Sequence, residues 1–188
     1  MIHSYIAKIE DIPQILSIME ENLLATNKDK VTQELERDGF LLYRFTESEL
    51  KDIINNHSDH LTIVLKSREE ILGYAIGHNF QWYRSKNWEI VSSIPEKYIA
   101  ILNSEKNYYH RQIAVKKGHK GIGNKILSTV FNKVLEQGFD NIIAEIVHKP
   151  FKNERSIACH QKMGFKIIGT SLLGDFTTGV YFKQMNIN

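Results

Sequence analysis

Residues 116–127, KKGHKGIGNKIL, have glycine at three of six consecutive positions and then run directly into an apolar pattern with helical spacing. The apolar segment QIAV precedes them, so the order is strand, flexible turn and helix start. In that arrangement several backbone N–H groups point the same way, and the helix dipole adds partial positive charge. The segment therefore predicts either an anion-binding cradle or an exposed turn whose glycines only relieve strain.

The spacing of the glycines separates three phosphate-binding patterns. A Walker A loop fits Gly118 and Gly123, but Asn124 stands where its lysine should be. A dinucleotide-binding GxGxxG motif fits Gly121 and Gly123, but Ile126 replaces its third glycine. The remaining pattern is a cradle of backbone amides that holds a pyrophosphate without a metal. Positive charge nearby would come from Lys116, Lys117, His119 and Lys120.

The composition indicates one domain, residues 1–188, with enough apolar material for a buried core, since 42% of the residues are hydrophobic. The formal net charge is only +2, so we expect no nucleic-acid partner. Cys159 is the single cysteine, which excludes an internal disulfide and is typical of a reducing compartment. The N-terminus lacks a signal-peptide layout and no apolar run reaches about 20 residues, so we expect a cytoplasmic protein without membrane contact.

Apolar periodicity predicts a mixed α/β fold. We predict strands at 3–9, 61–66, 71–78, 108–115, 141–147, 165–173 and 179–187. We predict helices at 10–24, 46–56 and 153–163, a short one after Pro95, and one from the glycines to about Gln137 that ends at Gly138. This last helix has the length of a crossover between two parallel strands. Residues 79–102 are the least regular part of the chain.

Two motifs in the second half carry a resemblance to a known family. GHKGIG follows the strand at 108–115, and farther along the chain NERSIACHQKMGF, residues 153–165, opens with an Asn and closes in Gly-Phe. In this order they resemble the GNAT acyltransferase family, whose members transfer an acyl group from acyl-coenzyme A to an amine. The order of elements is similar over essentially the whole chain. The resemblance implies a twisted, mostly antiparallel sheet with a splayed parallel strand pair and helices on both faces.

The resemblance also implies where the acyl donor, acetyl-CoA, binds. The main-chain groups of Ile113 and Val115 would pair with the pantetheine arm like an added strand, and amides from Gly118 to Asn124 would hold the pyrophosphate. The arm would enter the gap between the splayed strands and carry the thioester to the centre of the sheet. The implied cofactor-binding residues are Ile113, Ala114, Val115, Gly118, Lys120, Gly121, Ile122, Gly123, Asn124, Asn153 and His160.

Two positions depart from the family pattern. Gly118 stands where the loop motif begins with Arg or Gln, so one side-chain contact with the phosphates is lost. His160 stands where many members have a Tyr that protonates the leaving thiolate. An imidazolium could donate that proton, or the ring could pack against the cofactor without proton transfer. Asn153 also has two interpretations, a helix N-cap and a contact near the pantetheine or acyl end, and both can hold.

The sequence contains no motif that identifies the base that takes the proton of the amine. Candidates are Glu145, on the strand beside the gap, and His110, on the strand before the glycines. Cys159 has no cysteine partner and lies on an apolar helix face, so we expect it to pack, and we expect no metal. An aromatic cluster could line the acceptor pocket, form a dimer contact or close the core: Phe80, Trp82, Tyr83 and Trp88.

These features predict an N-acetyltransferase that works by direct transfer from acetyl-CoA in a ternary complex. Its acceptor is a small-molecule or peptide amine that the sequence does not identify, and a homodimer is one arrangement that the aromatic cluster allows. The alternative is a catalytically inactive, coenzyme A-binding regulatory or interaction module, which the departures at Gly118 and His160 favour. An ATP- or GTP-dependent enzyme would need a carboxylate motif for its metal, and the sequence shows none.

Overall fold

A seven-stranded sheet runs through the protein in the computed structural model, which describes residues 2–25, 32–87 and 93–185. The strands are β1 (Ile2–Ile6), β2 (His60–Ser67), β3 (Glu70–Asn79), β4 (Asn107–Val115), β5 (Asn141–Lys149), β6 (Lys166–Leu173) and β7 (Phe176–Gln184). Their order across the sheet is β1–β2–β3–β4–β5–β7–β6. Within this sheet β4 and β5 are parallel, and the other neighbours are antiparallel. The predicted mixed α/β fold with one parallel pair is confirmed.

Helices cover both faces of the sheet. In the described residues they are α1 (Ile12–Asn22), α2 (Thr32–Asp38), α3 (Glu47–Asn55), α4 (Phe80–Asn87), α5 (Glu96–Leu102), α6 (Ile122–Glu136) and α7 (Glu154–Lys162). α6 and α7 share a core with Tyr108 of β4 and Ile142 of β5. α4 and α5 pack with the next residues of these strands, Tyr109 and Ile143, because successive side chains point to opposite faces. None of these helices is long and apolar enough to cross a lipid bilayer.

The longest helix, α6, forms because its apolar residues recur with helical spacing. Ile122, Ile126, Val130 and Val134 lie four residues apart and are all buried against the sheet. Gly138 follows the end of the helix with a φ angle of 83°, in the left-handed region that favours glycine. The predicted crossover helix between the two parallel strands is therefore confirmed.

β4 and β5 separate halfway along their length. Their parallel register ends at the pair His110–Ala144. Beyond that point β4 continues alongside β3 to Val115, and β5 continues alongside β7 to Lys149. Past this pair, the backbone edges of β4 and β5 that face each other have no strand partner within residues 2–25, 32–87 and 93–185. We call this opening in the middle of the sheet the β4/β5 gap.

A β-bulge in β4 lies at the start of the gap. His110 pairs with Gly77 and Gln112 pairs with Ile76, so Arg111 is an extra residue without a partner on β3. A bulge breaks the strict alternation of side chains and re-aims them. As a result, Arg111 and Gln112 both reach the segment between α2 and α3.

Most predicted elements agree with the structure to within a few residues. β1 ends at Ile6, earlier than predicted, because the Asp11 carboxylate accepts a hydrogen bond from the Lys8 N–H and starts a helical turn. The sequence analysis did not predict α2 or α4. The missed signal for α4 is Asn79, whose side-chain oxygen accepts a hydrogen bond from the Gln81 N–H at 2.9 Å. α2 has only seven residues, too few to show a helical period.

Replacing Gly77 with alanine should destabilise the fold where the bulge and the gap begin. The added Cβ would overlap the hydroxyl and ring of Tyr108, which is buried and held on all sides. Overpacking of this kind costs about 1–3 kcal/mol, to be measured as the free energy of unfolding in urea. Gly174→Ala is the control, because its Cβ meets nothing within 4 Å and only its left-handed backbone is strained. A Gly77→Ala loss no larger than that of the control would contradict this account.

Candidate functional site

A cavity of about 480 Å³ lies in the β4/β5 gap, and we call it the central cavity. Of the residues predicted to bind a cofactor or act in catalysis, its wall contains Ile113, Ala114, Val115, Gly118, Lys120, Gly123, Asn153, His160, Glu145 and His110. Gly121, Ile122 and Asn124 are not part of this wall and lie beside it at the start of α6. The fold thus brings residues of β4, β5, the glycine segment and α7 to one place.

The main-chain groups of Ile113 and Val115 face the gap. The Lys116 N–H donates to the Leu72 carbonyl oxygen at 2.9 Å, and bonded pairs alternate along antiparallel strands. Every second residue of β4 therefore bonds to β3, and the backbone groups of Ile113 and Val115 point away from β3. The Asn22 side chain donates to the Val115 carbonyl at 3.2 Å. The Val115 N–H and both groups of Ile113 have no strand partner in the described residues.

The glycine segment presents backbone N–H groups at the edge of the same cavity. Gly118 and Gly121 have φ angles of 86° and 77°, which favour glycine. Because a Cβ at either position would meet nothing within 4 Å, the backbone angle and not crowding explains these two glycines. Gly121 is the N-cap of α6 and offers no side-chain cap, so the first N–H groups of the helix stay available. An anion could bind to such N–H groups, and the predicted amide cradle stays a prediction.

The basic side chains around this segment are not equally available. The Lys116 ammonium pairs with the Glu70 carboxylate at 2.5 Å. The Glu21 carboxylate accepts a hydrogen bond from the Lys117 backbone N–H at 3.1 Å and so adds negative charge nearby. Lys120 is exposed and has no ion pair among the described residues. Lys120 is therefore the side chain best placed to add charge to the cradle.

The third glycine of the segment, Gly123, lies where α6 contacts α7. A Cβ at Gly123 would lie 3.4 Å from the Cys159 sulfur. The Cys159 thiol donates to the side-chain oxygen of Asn124 at 3.2 Å, and burial raises its pKa. The thiol thus packs between the two helices, as expected. In the described part of the chain no group of three His, Cys, Asp or Glu residues could hold a metal ion.

Asn153 fastens the start of α7 to the segment before α3. Its side-chain oxygen accepts a hydrogen bond from the Ser156 N–H at 3.2 Å, which is the predicted N-cap. Its amide nitrogen donates to the Phe40 carbonyl oxygen at 2.9 Å. Both polar atoms of this buried side chain are therefore satisfied within the protein. A contact between Asn153 and a ligand stays a prediction.

Two buried histidines lie next to each other on the face that carries α6 and α7. The ring centroids of His110 and His160 are 5.4 Å apart. The His160 Nδ1 lies 2.7 Å from the Ser156 carbonyl oxygen, so Nδ1 carries the hydrogen and donates it. Burial lowers the pKa of His160 from 6.5 to about 4 and the pKa of His110 well below its ordinary value. Both rings are therefore neutral near pH 7.

The neutral state of the His160 ring bears on its predicted role as the proton donor. The His160 Nε2 has no hydrogen-bond partner among the described residues, and in the neutral ring it carries a lone pair and no hydrogen. Donation by a His160 imidazolium stays a prediction of the resemblance. The geometry favours the other interpretation, in which the ring packs in the cavity wall without proton transfer.

Glu145 lies on the opposite face of the sheet, among hydroxyl groups. Tyr109 and Tyr83 donate to its Oε2 at 2.9 and 3.2 Å, and Ser171 and Thr178 donate to its Oε1. The two tyrosine rings are stacked with centroids 3.8 Å apart. Burial raises the pKa of both, so they stay protonated donors. Four hydrogen bonds thus fix the direction of the carboxylate and hold its negative charge beside the central cavity.

The sequence analysis identified Glu145 but missed the groups around it. Thr178 reaches Glu145 only because β5 pairs with β7 in the observed register, which no local pattern shows. Arg111, which also lines the central cavity, is placed by the bulge in β4. The sequence signal for Tyr109 and Arg111 was the cluster of two tyrosines and an arginine in the segment YYHR at 108–111.

The aromatic cluster of residues 80–88 divides between two roles. Phe80 and Tyr83, both in α4, are buried in the core that α4 and α5 form with the sheet, and Tyr83 also lines the central cavity. Trp82 packs against the His60 and His78 rings at centroid distances of 4.5 and 5.0 Å. Trp88 lies outside the described residues.

The chain resembles known proteins in sequence and fold. Residues 29–165 match the sequence model of the Acetyltransferase (GNAT) family, whereas no curated protein sequence matches the chain. An N-acetyltransferase from Staphylococcus aureus Mu50 is 21% identical, with a TM-score of 0.66 over 99% of both chains. YncA from Salmonella typhimurium, solved with its cofactor acetyl-CoA, is 15% identical, with a TM-score of 0.67 over 100% of this chain and 96% of its own. The PaiA N-acetyltransferase from Thermoplasma acidophilum, in complex with coenzyme A, is 14% identical, with a TM-score of 0.63 over 98% of this chain and 99% of its own.

Acid should destabilise the protein partly through His160. Because its pKa is 6.5 in the unfolded chain and about 4 in the fold, the unfolded state binds more protons between these values, and stability falls as the pH falls. Between pH 7.5 and 5 the contribution is about 2 kcal/mol in the free energy of unfolding. Urea unfolding at both pH values should show a smaller loss for His160→Gln than for the parent. His57→Gln, at an exposed loop position, should keep the parent's pH dependence. An equal loss of unfolding free energy between pH 7.5 and 5 in all three proteins would contradict the conclusion that His160 is buried as a neutral ring.

Proposed function

Because the chain belongs to the acetyltransferase (GNAT) family, we propose that it is an N-acetyltransferase that transfers the acetyl group of acetyl-CoA to an amine. The observation that carries the proposal is the unpaired edge of β4 at Ile113 and Val115, which leads along the central cavity to the amides of the glycine segment. An extended amide-containing arm with a pyrophosphate at one end needs hydrogen-bonding groups of these two kinds in this order.

The residues that would hold acetyl-CoA fall into three groups. The backbone groups of Ile113 and Val115 would pair with the amides of the pantetheine arm as a strand does. The N–H groups from Gly118 to Asn124 would bind the pyrophosphate, and Lys120 in the cavity wall would add positive charge. The neutral His160 and the capping Asn153 would border the arm near the thioester.

The proposed reaction is a direct transfer within a ternary complex. An ammonium group of the acceptor first loses a proton, and its nitrogen then attacks the thioester carbonyl carbon. The C–N bond forms as the C–S bond breaks, the nitrogen loses a second proton, and the CoA thiolate takes up one proton. The products are the N-acetylated acceptor, free CoA and one net proton. Holding both reactants side by side in the gap supplies much of the rate.

The side chains of the cavity suit two of these steps. Glu145 is the proposed proton acceptor for the amine, directly or through water, because its fixed carboxylate lies beside the gap. His110 is a weaker candidate, since its buried ring has no hydrogen-bond partner among the described residues that would orient it, and burial lowers its pKa well below the ordinary value. Backbone amides near Val115 are the proposed groups that polarise the thioester carbonyl. A CoA thiolate is a good leaving group, so water can supply its proton without help from His160.

We propose a small-molecule or peptide amine as the acceptor and no nucleic-acid or membrane partner. The free thiol of Cys159 fits action in the reducing cytoplasm. A homodimer remains part of the proposal. A coenzyme A-binding module without catalysis is the alternative, and the neutral state of His160 is the observation in its favour.

Coenzyme binding is tested first by thermal unfolding with acetyl-CoA, CoA, ATP-Mg²⁺ and NAD⁺. A ligand at one hundred times its Kd adds about 2.7 kcal/mol, which raises the midpoint by about 5–10 °C for a chain of this size. We expect this shift with acetyl-CoA and CoA, and not with either nucleotide. Gly121→Val should remove most of it, because a β-branched residue cannot adopt the φ of 77° at the N-cap.

Gly138→Val is the matched control for the cradle, since it strains the same kind of backbone at the other end of α6, away from the cavity. It should lower the midpoint of the free protein and keep the shift with CoA. If neither coenzyme raises the midpoint of the parent protein at about 1 mM, the proposed function is wrong.

Catalysis is tested by CoA release with a panel of primary amines. Glu145→Gln keeps the size of the side chain and removes its ability to take a proton, so kcat should fall about 100-fold or more while the CoA midpoint shift persists. His160→Phe should lower kcat by less than about tenfold, because the neutral ring donates no proton. A larger loss with His160→Phe than with Glu145→Gln would reverse these roles. Binding of CoA with no turnover of any amine would favour the inactive module.

A further inference from the structure

We propose that the acceptor amine carries a carboxylate, which Arg111 binds on the face of the sheet opposite α6 and α7. The inference rests on the proposed acetyltransferase function and states which class of amine the site accepts. It starts from a half-buried cation in the central cavity that neither the predicted cofactor site nor the predicted chemistry uses.

Aromatic rings hold the guanidinium of Arg111 in place. Its central carbon lies 4.9 Å from the ring centroid of Tyr43, 5.4 Å from that of Phe45 and 5.5 Å from that of Tyr83. Rings at these distances attract a cation and restrict its movement. The three rings come from different elements, since Tyr43 and Phe45 precede α3 and Tyr83 belongs to α4. The fold therefore restricts the position of the Arg111 guanidinium more than that of an exposed arginine.

Among the described residues Arg111 makes no ion pair with an acidic side chain and no hydrogen bond. Glu49 is near enough for its charge to interact with that of Arg111, but its oxygens accept from the Thr46 N–H at 2.7 Å and the Tyr43 hydroxyl at 2.5 Å. The rings cover the faces of the guanidinium, and its N–H groups have no acceptor in the part of the chain that the structure describes. A fork of N–H donors in a fixed orientation matches the two oxygens of a carboxylate.

A negative group lies on the other side of Tyr83. The Tyr83 ring is in contact with Arg111, and its hydroxyl donates to Glu145 at 3.2 Å, so one tyrosine side chain separates the two charges. The same cavity thus offers a carboxylate for an ammonium group and a guanidinium for a carboxylate. This pair of fixed charges is complementary to an amine that also bears an acid group. It disfavours polycationic acceptors, whose second positive charge would meet Arg111.

The test compares acceptors in matched pairs that differ only in the anionic group. The pairs are glycine and glycinamide, β-alanine and β-alaninamide, γ-aminobutyrate and its amide, and O-phosphoethanolamine and ethanolamine. kcat/KM is measured for each member by CoA release, with the parent protein, Arg111→Gln and Arg111→Lys. Arg44→Gln is the matched control, because Arg44 is an exposed neighbouring arginine that pairs with Glu20 outside the central cavity. The change in the acid-to-amide ratio between proteins cancels differences in amine basicity within a pair.

For at least one carboxylate pair, we expect the acid-to-amide ratio of kcat/KM to be about 10- to 100-fold higher in the parent protein than in Arg111→Gln. Arg111→Lys should keep part of the preference, since it retains the charge without the fork. Arg44→Gln should keep all of it. The proposal is overturned if Arg111→Gln lowers kcat/KM equally for both members of every pair, which would mark a structural role. It is also overturned if only the phosphate pair depends on Arg111.

A second readout separates this inference from the proposed function. Calorimetric titration of the CoA-loaded protein with the same pairs measures acceptor binding without turnover. Tighter binding of the acid than of its amide, lost in Arg111→Gln, supports the Arg111 site even if no acceptor is acetylated. Turnover of amines with no dependence on Arg111 in either readout leaves the acetyltransferase assignment standing and refutes this one.

Discussion

The separation of β4 from β5 beyond His110 and Ala144 is the constraint on which the rest of the structure depends. A sheet that opens in its middle leaves backbone donors and acceptors unpaired, and each buried group of this kind costs about 1–3 kcal/mol. The protein itself satisfies one of these backbone groups, since the Asn22 side chain donates to the Val115 carbonyl. The bulge at Arg111 adds local twist where the strands diverge. The remaining edge is stable only beside water or a ligand, which is why the cavity lies there.

The gap also divides the chemistry between the two faces of the sheet. Side chains alternate along a strand, so neighbours in the sequence serve opposite sides. His110 packs toward α7 while Arg111 reaches the rings of Tyr43 and Tyr83, and Ala144 joins the α6 core while Glu145 faces the hydroxyl groups. The glycine segment and the histidines lie on one side, and the separate charges of Arg111 and Glu145 lie on the other. Direct transfer requires such an arrangement, because the two reactants must approach one reacting carbon from different directions.

The sequence predicted what local patterns encode and missed what pairing creates. The period of α6, the glycines with positive φ and the N-cap at Asn153 depend on a few neighbouring residues, and all are as expected. The direction of the Ile113 and Val115 backbone followed only from a resemblance, and the register with β3 now accounts for it physically. The bulge, the hydroxyl groups around Glu145 and the neutral state of His160 arise from contacts far apart in the chain. No period or motif reports such contacts.

The segment between α2 and α3 shows how these distant contacts work together. Three parts of the fold hold its backbone: Asn153 donates to the Phe40 carbonyl, Gln112 donates to the Tyr43 carbonyl, and Leu41 exchanges backbone hydrogen bonds with the end of α1. Asn153 lies on the α7 side of the cavity, whereas Gln112 and the ring of Tyr43 lie on the side of Arg111. One short segment therefore forms part of both walls, and its position is set by both faces at once. A shift of this backbone would move the Tyr43 ring away from Arg111 and break the hydrogen bond from Asn153 to the Phe40 carbonyl in the same step, so the geometry of the two sides of the cavity is coupled.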